Sequence, residues 1–365
     1  MNSIKVLHPF QPWIGDEEKK AIAEYLDSGG WLTEFEETRK FEEMLATYVG
    51  SIHAIAVSNG TVSLYAALRA LGIGPGDEVI VPDFTMIASA NAVVLAGATP
   101  VFVDISTANL CLDLALAEKA ISGRTRAIML VPLNGRAPDM RRAVSLAAQY
   151  GLYLVEDAAQ SLGSRQSGRH LGTFGRVGSF SFSPAKIVTM GQGGALVTDD
   201  GKLAERIRRI KDFGRRTAGT DFHEIIGFNF KLTDLQAVIG IEQMKKLEYR
   251  VKRKKEIFAG YREQLAGIPG LQMVNTDLAE CTPWVVDILV DQPEKLGSHL
   301  AQQGIRTRRF YPPVHSQPAY GLTSSFPISE SVCAQGLWLP SSSFLSEADV
   351  SRVCDAIRRF LCGGD

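Results

Sequence analysis

Lys186 closes the run Ser179–Phe180–Ser181–Phe182–Ser183–Pro184–Ala185–Lys186, where its neighbours are small, apolar or aromatic. Most lysines sit among other charges. Burial in such a frame lowers an amine's pKa and leaves it nucleophilic, as Schiff-base chemistry requires. The same frame also suits a lysine whose stem packs while its head reaches solvent. Asp157 ends the apolar run Tyr153–Leu154–Val155–Glu156–Asp157 and is followed by Ala158–Ala159–Gln160–Ser161–Leu162–Gly163. Ligands gather at the carboxyl ends of strands in open α/β sheets. A buried carboxylate costs several kcal/mol unless paired, and a protonated pyridine nitrogen is one suitable partner. A strand-end pair of Glu156 and Asp157 facing water fits equally well. Ser58–Asn59–Gly60–Thr61–Val62–Ser63–Leu64 is a small polar turn running into a helical pattern, able to hold a phosphate on its backbone amides. Together the three segments supply the anchors of an aldehyde cofactor that carries a phosphate.

The elements around these residues follow a simple plan. Val79–Ile80–Val81–Pro82, Pro100–Val101–Phe102–Val103–Asp104, Ala127–Ile128–Met129–Leu130–Val131 and residues 153–157 read as buried strands. Helical spacing fills 61–71 and 88–96 between them. Continuous apolar strands separated by helices predict a mainly parallel sheet covered on both faces. Beyond Gly194 a strand is expected at 195–198 and a helix at 202–213. One long helix is expected from 233 to 265, as a bridge between domains. A short strand at 284–290 and helices at 293–304 and 346–361 suggest a smaller α+β domain. With 365 residues the chain exceeds one core, so residues 1–245 are assigned to a large domain and 246–365 to a small C-terminal one. The N-terminal segment is a candidate to pack on the latter. Gly191–Gln192–Gly193–Gly194 matches no dinucleotide fingerprint, because no helix opens there.

Composition excludes more than it identifies. A net charge of −1, with 45% hydrophobic and 22% charged residues, gives no general pull toward nucleic acid or anionic membrane. The basic run around Arg250–Val251–Lys252–Arg253–Lys254–Lys255 is expected on a solvated helix face. Five cysteines without CxxC spacing argue against a disulfide framework or a zinc site. No apolar run approaches the roughly 20 residues of a membrane span, and cytoplasmic residence is the default expectation.

The segments 58–105, VEDAAQSLGS, GTFGRVGSFSFSPAKIVTMGQGGALVTDD, GFNFKLTDLQAVIGIEQ and RRFYPPVHSQPAYG together resemble the fold-type-I pyridoxal-phosphate enzymes. Within that group they are similar to the DegT/DnrJ/EryC1/StrS sugar aminotransferases over nearly the whole chain. The resemblance implies an aspartate-aminotransferase-like α/β fold and pyridoxal 5′-phosphate held on Lys186 as a Schiff base. Asp157 would keep the pyridine nitrogen protonated, Gln160 would lie near the ring hydroxyl, and Phe84 would stack on the ring. Gly60, Thr61 and Ser181 would bind the phosphate, joined by Asn229 from the partner chain of a homodimer. Tyr311 and His315 are candidate sugar contacts. Implied substrates are glutamate and a nucleotide-linked keto sugar. The tail and the segment after Lys186 are closer to members acting at C4 of GDP-linked 4-keto-6-deoxy sugars than to the 3-keto group. Three departures fall where the sugar is expected: Gln192 for an acid, Pro132–Leu133–Asn134–Gly135 for H-x-Y-G, and Glu34–Phe35 for Gly–Pro. The alternatives are a keto-cyclitol or 3-keto-sugar aminotransferase and a non-catalytic cofactor-binding regulator. The dehydratase branch replaces the lysine with histidine, which Lys186 argues against.

Overall fold

A computed structural model describes residues 5–217 and 219–363. The apolar runs form β1 (His53–Val57), β2 (Glu78–Pro82), β3 (Thr99–Val103), β4 (Thr125–Leu130) and β5 (Tyr153–Asp157). After a short hairpin of β6 (Arg165–Gln166) and β7 (Arg169–His170) come β8 (Val177–Ser181) and β9 (Gly194–Thr198). Seven of them make one sheet in the order β1-β9-β8-β5-β4-β2-β3. It is parallel except for β9, which runs antiparallel to both β1 and β8. Ile55, Val79, Val81, Ala127, Met129 and Val155 of this sheet pack in one core, while Ile80, Ile128, Leu130 and Leu154 pack in another. Burial on both faces is why these strands read as continuous apolar runs instead of alternating ones.

A second sheet is antiparallel throughout: β10 (Leu271–Met273), β11 (Val286–Val290), β12 (Arg308–Arg309) and β13 (Gly336–Leu339), in the order β10-β11-β13-β12. Its core takes in Ile257, Phe258, Tyr261, Ile288, Leu300 and Ile357. Leu7 joins that core and bridges to Ile305, so the N-terminal segment packs on the smaller sheet.

Two expectations need correction. The long helix is two helices, Asp234–Lys245 and Leu247–Gln264, separated at Lys246 (φ −97°, ψ 0°). The Lys246 N–H donates to the Gln243 carbonyl, closing the first helix, and its ammonium binds the buried Glu18 at 2.9 Å. The basic run is not a solvated face either. Arg250 and Lys254, four residues apart and therefore on one side of the helix, point inward and are buried. Lys252, 79% exposed, is the outward charge of the run, while Arg253 is largely covered and donates to the Leu345 carbonyl.

Candidate active site

Alternation along β5 sends its last two carboxylates to opposite faces. Both are buried, so neither is a surface charge. Glu156 accepts the backbone N–H groups of Gly172 (2.6 Å) and Gly175 (2.7 Å), and burial pushes its carboxyl up to about 7. It braces a loop. Asp157 faces the other way. Ser89 Oγ, in the first turn of the helix Ala88–Leu95, donates to Asp157 Oδ2 at 2.6 Å, and the Ala159 N–H donates to Oδ1 at 3.3 Å. Burial still drives the Asp157 pKa upward, opposed by these two bonds and by Lys186.

Lys186 lies in the connection from β8 to β9. Its N–H donates to the Ser183 carbonyl at 3.0 Å, while Phe182 and Met190 close the base of the loop through a backbone bond of 3.0 Å. The amine sits 4.1 Å above the centre of the Trp284 ring. Burial lowers its pKa to about 8, Asp157 raises it in part, and Arg308 lowers it further. Trp284 is fixed by its indole N–H, which donates to the Ala185 carbonyl at 2.7 Å.

The third anchor is the start of the helix Gly60–Ala70. Asn59 caps it by accepting from the Val62 N–H at 3.0 Å. The earliest N–H groups of a helix have no intrahelical acceptor and form an anion site. Two glycines bring this terminus onto the strand ends. A Cβ on Gly60 would lie 2.9 Å from Ser181 Cβ, and one on Gly194 would lie 2.4 Å from the Asn59 carbonyl carbon. The helix start at Gly60 thus packs directly against Ser181.

Beside Lys186 lies a narrow cavity lined by Ala158, Ala159, Gln160, Ser181, Lys186 and Trp284. Larger hollows open around Arg176 and Asp200 and around Glu34 and His53, away from the lysine. The donor set fits pyridoxal phosphate. A buried carboxylate short of cations suits a pyridinium, the lysine of lowered pKa suits the aldehyde, and the glycine-lined helix terminus suits the phosphate. Gln160 turns its carbonyl to the Asn134 N–H at 2.9 Å. Phe84 is buried at the end of β2 with one face on Phe310 (5.5 Å between ring centres). Tyr311 packs on Trp338 at 4.7 Å, and burial raises its hydroxyl to about 12 with Asp157 contributing.

His315 and Asn229 differ in their surroundings. His315 is buried in the wall, where its Nδ1 lies 2.8 Å from Asp83 Oδ2, its N–H donates to Asp83 Oδ1 at 2.8 Å, and its ring packs on Phe326. It ties the tail to the residue preceding Phe84. Asn229 is exposed, next to Phe230, whose carbonyl accepts from Ser58 N–H at 2.8 Å. The departure at Asn134 is also not a cleft residue. It is buried with φ +53°, donating its amide to the Val285 carbonyl (2.9 Å) and accepting the Val285 N–H (2.7 Å). It clamps the segment that carries Trp284. Ser89 and Trp284, and the clamping role of Asn134, escape sequence reading because their partners are 68, 99 and 151 residues away.

Comparison with known proteins agrees with this geometry. The profile described as the DegT/DnrJ/EryC1/StrS aminotransferase family matches residues 12–358. GDP-perosamine synthase of Escherichia coli O157:H7 is 37% identical over 361 residues, covering 98% of this chain and 99% of that one. The dTDP-3-amino-3,4,6-trideoxy-alpha-D-glucose transaminase of Streptomyces venezuelae is 41% identical, covering 94% and 92%. Among solved structures, S. venezuelae DesV in complex with a ketimine intermediate superposes with a TM-score of 0.91 at 39% identity, over 98% of this chain and all of that one. The fold is that of the fold-type-I pyridoxal-phosphate enzymes.

Proposed function

Because this chain belongs to the DegT/DnrJ/EryC1/StrS aminotransferase family, we propose that it moves an amino group from glutamate to C4 of a GDP-linked 4-keto-6-deoxy sugar. It is a pyridoxal-phosphate-dependent aminotransferase. The observation that carries the site assignment is that Lys186 lines one narrow cavity with Ala158, which follows Asp157, and with Ser181, against which Gly60 packs.

The bound cofactor supplies an electron sink for the carbon that loses its proton. The chain's residues set up that chemistry. Asp157, pinned by Ser89, would pair with the pyridine nitrogen and keep it protonated. The backbone at Gly60 and Thr61, with the Ser181 hydroxyl, would hold the phosphate. Lys186 would anchor the aldehyde, and its amine would move the substrate proton as base and then acid. A pKa of about 8 suits both roles near neutral pH. The Trp284 ring beneath it limits water access and steadies the cationic form.

The GDP and C4 assignments rest on similarity to GDP-perosamine synthases of E. coli and Vibrio cholerae. The 41% identical S. venezuelae transaminase supports a second reading, amination at C3 of a dTDP sugar. Incubation with glutamate and a panel of GDP-, UDP- and dTDP-linked 3- and 4-keto sugars, read by mass spectrometry, separates them. A 4-amino GDP sugar is expected. A 3-amino product, or no turnover of any nucleotide sugar alongside turnover of a keto-cyclitol added to the panel, would replace the substrate assignment.

The reading includes a homodimer in which Asn229 reaches the partner's phosphate. Its support is the exposure of Asn229 beside outward apolar residues, Phe222 (70% exposed) and Ile226 (85%). Analytical sedimentation should give a dimer at assay concentration, and a fully active monomer would exclude shared sites.

A further inference from the structure

Adjacent arginines on β12 have opposite fates. Arg309 is fully engaged: its guanidinium donates to the carbonyls of Gly336 (2.7 Å), Cys333 (3.0 Å) and Ala334 (2.6 Å) and pairs with Glu294 at 3.1 Å. It fastens β12 to the end of the helix Pro327–Gln335. Strand alternation turns Arg308 to the other face. There it is exposed and has neither a hydrogen-bond acceptor nor a carboxylate among the described residues. Its guanidinium carbon lies 5.5 Å from the Tyr311 ring, 5.5 Å from Trp338 and 5.9 Å from Phe10.

Those rings continue to the reacting lysine. Phe10 stacks on Trp284 at 4.8 Å, Trp338 meets Trp284 at 5.7 Å, and Trp284 carries the Lys186 amine on its face. Arg308 and Lys186 therefore flank one aromatic shelf, and the guanidinium charge is felt at both Lys186 and Tyr311. Stacking on rings orients a guanidinium while leaving its five N–H donors free. Those donors match an oxyanion, and a carboxylate in particular can take two of them in parallel.

We infer that Arg308 receives the carboxylate of the amino donor. The inference rests on the aminotransferase reading above and adds the residue that selects the donor. A donor amino acid carries its carboxylates within a few bonds of the carbon that reacts beside Lys186. The diphosphate of a nucleotide sugar is separated from a C4 keto carbon by the sugar ring, so it lies beyond a group whose charge acts directly on the lysine.

The test compares wild-type holoenzyme with Arg308→Gln and Arg308→Lys. The first measurement is the donor half-reaction, followed by the visible absorbance during single turnover with glutamate. The second is calorimetric binding of glutarate, a dicarboxylate that cannot react. The third is the sugar half-reaction of the aminated enzyme. Arg308→Gln should raise the half-saturating glutamate and the glutarate Kd on the order of tenfold to a hundredfold, the value of a charge-assisted hydrogen-bonded pair. Arg308→Lys should recover part of that loss, and the sugar half-reaction should keep its wild-type dependence on substrate. The pH midpoint of the visible band should rise in Arg308→Gln, because a cation beside the protonated nitrogen has gone. Wild-type glutamate and glutarate binding in Arg308→Gln would overturn the inference, as would a defect confined to the sugar half-reaction. A wild-type enzyme that holds its cofactor but ignores glutamate would overturn the proposed donor instead, and glutarate binding would still decide for or against Arg308.

Discussion

Two lysines meet the same tryptophan, Lys186 half-buried and Lys254 buried, and only one of them opens on a cavity. Lys186 lays its amine on the Trp284 ring, faces the narrow cavity and feels Asp157. Lys254 donates to the Trp284 carbonyl at 2.8 Å and to the Ser341 carbonyl at 2.5 Å, enclosed by backbone. Burial depresses both amines, Lys186 to about 8 and Lys254 to about 7. A lowered pKa therefore does not by itself mark a lysine as reactive. What separates the two is what each nitrogen meets: a π face beside a narrow cavity in one case, two fixed acceptors in the other. Lys254 locks the chain that supports Trp284; Lys186 uses the ring that Lys254 helps to hold.

The sharpest way to break this comparison is to exchange the roles. Lys186→Ala should abolish transamination, with a loss above about a thousandfold expected for a missing covalent anchor and proton carrier together. It should also abolish the yellow, borohydride-reducible link to the cofactor, read by absorbance and by mass spectrometry of the reduced protein. Lys254→Met should retain that link. A reducible link persisting in Lys186→Ala and mapped to Lys254 would reverse the assignment.

The same pair shows what the sequence discloses and what it hides. Lys186 is legible because its neighbours in the chain are its neighbours in space: the Ser179-to-Lys186 run is strand β8 and the loop it feeds. Asp157 is legible for a similar reason, since the end of an apolar strand in a parallel sheet is the edge where ligands bind. Gly60 is legible as a helix start. Lys254 is hidden, because it points in from a run of basic residues that includes the exposed Lys252 and the half-buried Arg253 and Lys255. A helix face that mixes buried and solvated cations over one turn has no signature in composition. Trp284 and Ser89 are hidden for another reason: each meets the site only through tertiary packing. His315 was visible as a residue of interest but not its direction, since its bond to Asp83 crosses 232 positions. The helix break at Lys246 was likewise concealed, as Met244–Lys245–Lys246–Leu247 contains neither Gly nor Pro.

The smaller effect is on stability, and its pH dependence is what distinguishes Lys254 from an ordinary packed residue. In the unfolded chain this amine titrates near 10.5, and in the folded chain burial and the Arg250 charge lower it to about 7. Between those values the unfolded state holds a proton that the folded state does not. Stability from this group is therefore fully present above pH 10.5 and is lost as pH falls toward 7. Replacement by Met removes that dependence and leaves the Trp284 and Ser341 carbonyls without a donor, a cost of about 1–3 kcal/mol each. Relief from burying the amine offsets part of this near pH 7, so the variant should there lie within about 2 kcal/mol of wild type. From pH 7 to pH 10 the wild type should pull ahead by a further 3–4 kcal/mol, roughly 1.4 kcal/mol per pH unit. Urea unfolding across that range, with m-values checked for constancy, measures the difference directly. A gap between the two proteins that does not change with pH would mean that Lys254 is charged in the folded state. The contrast with Lys186 would then rest on geometry alone.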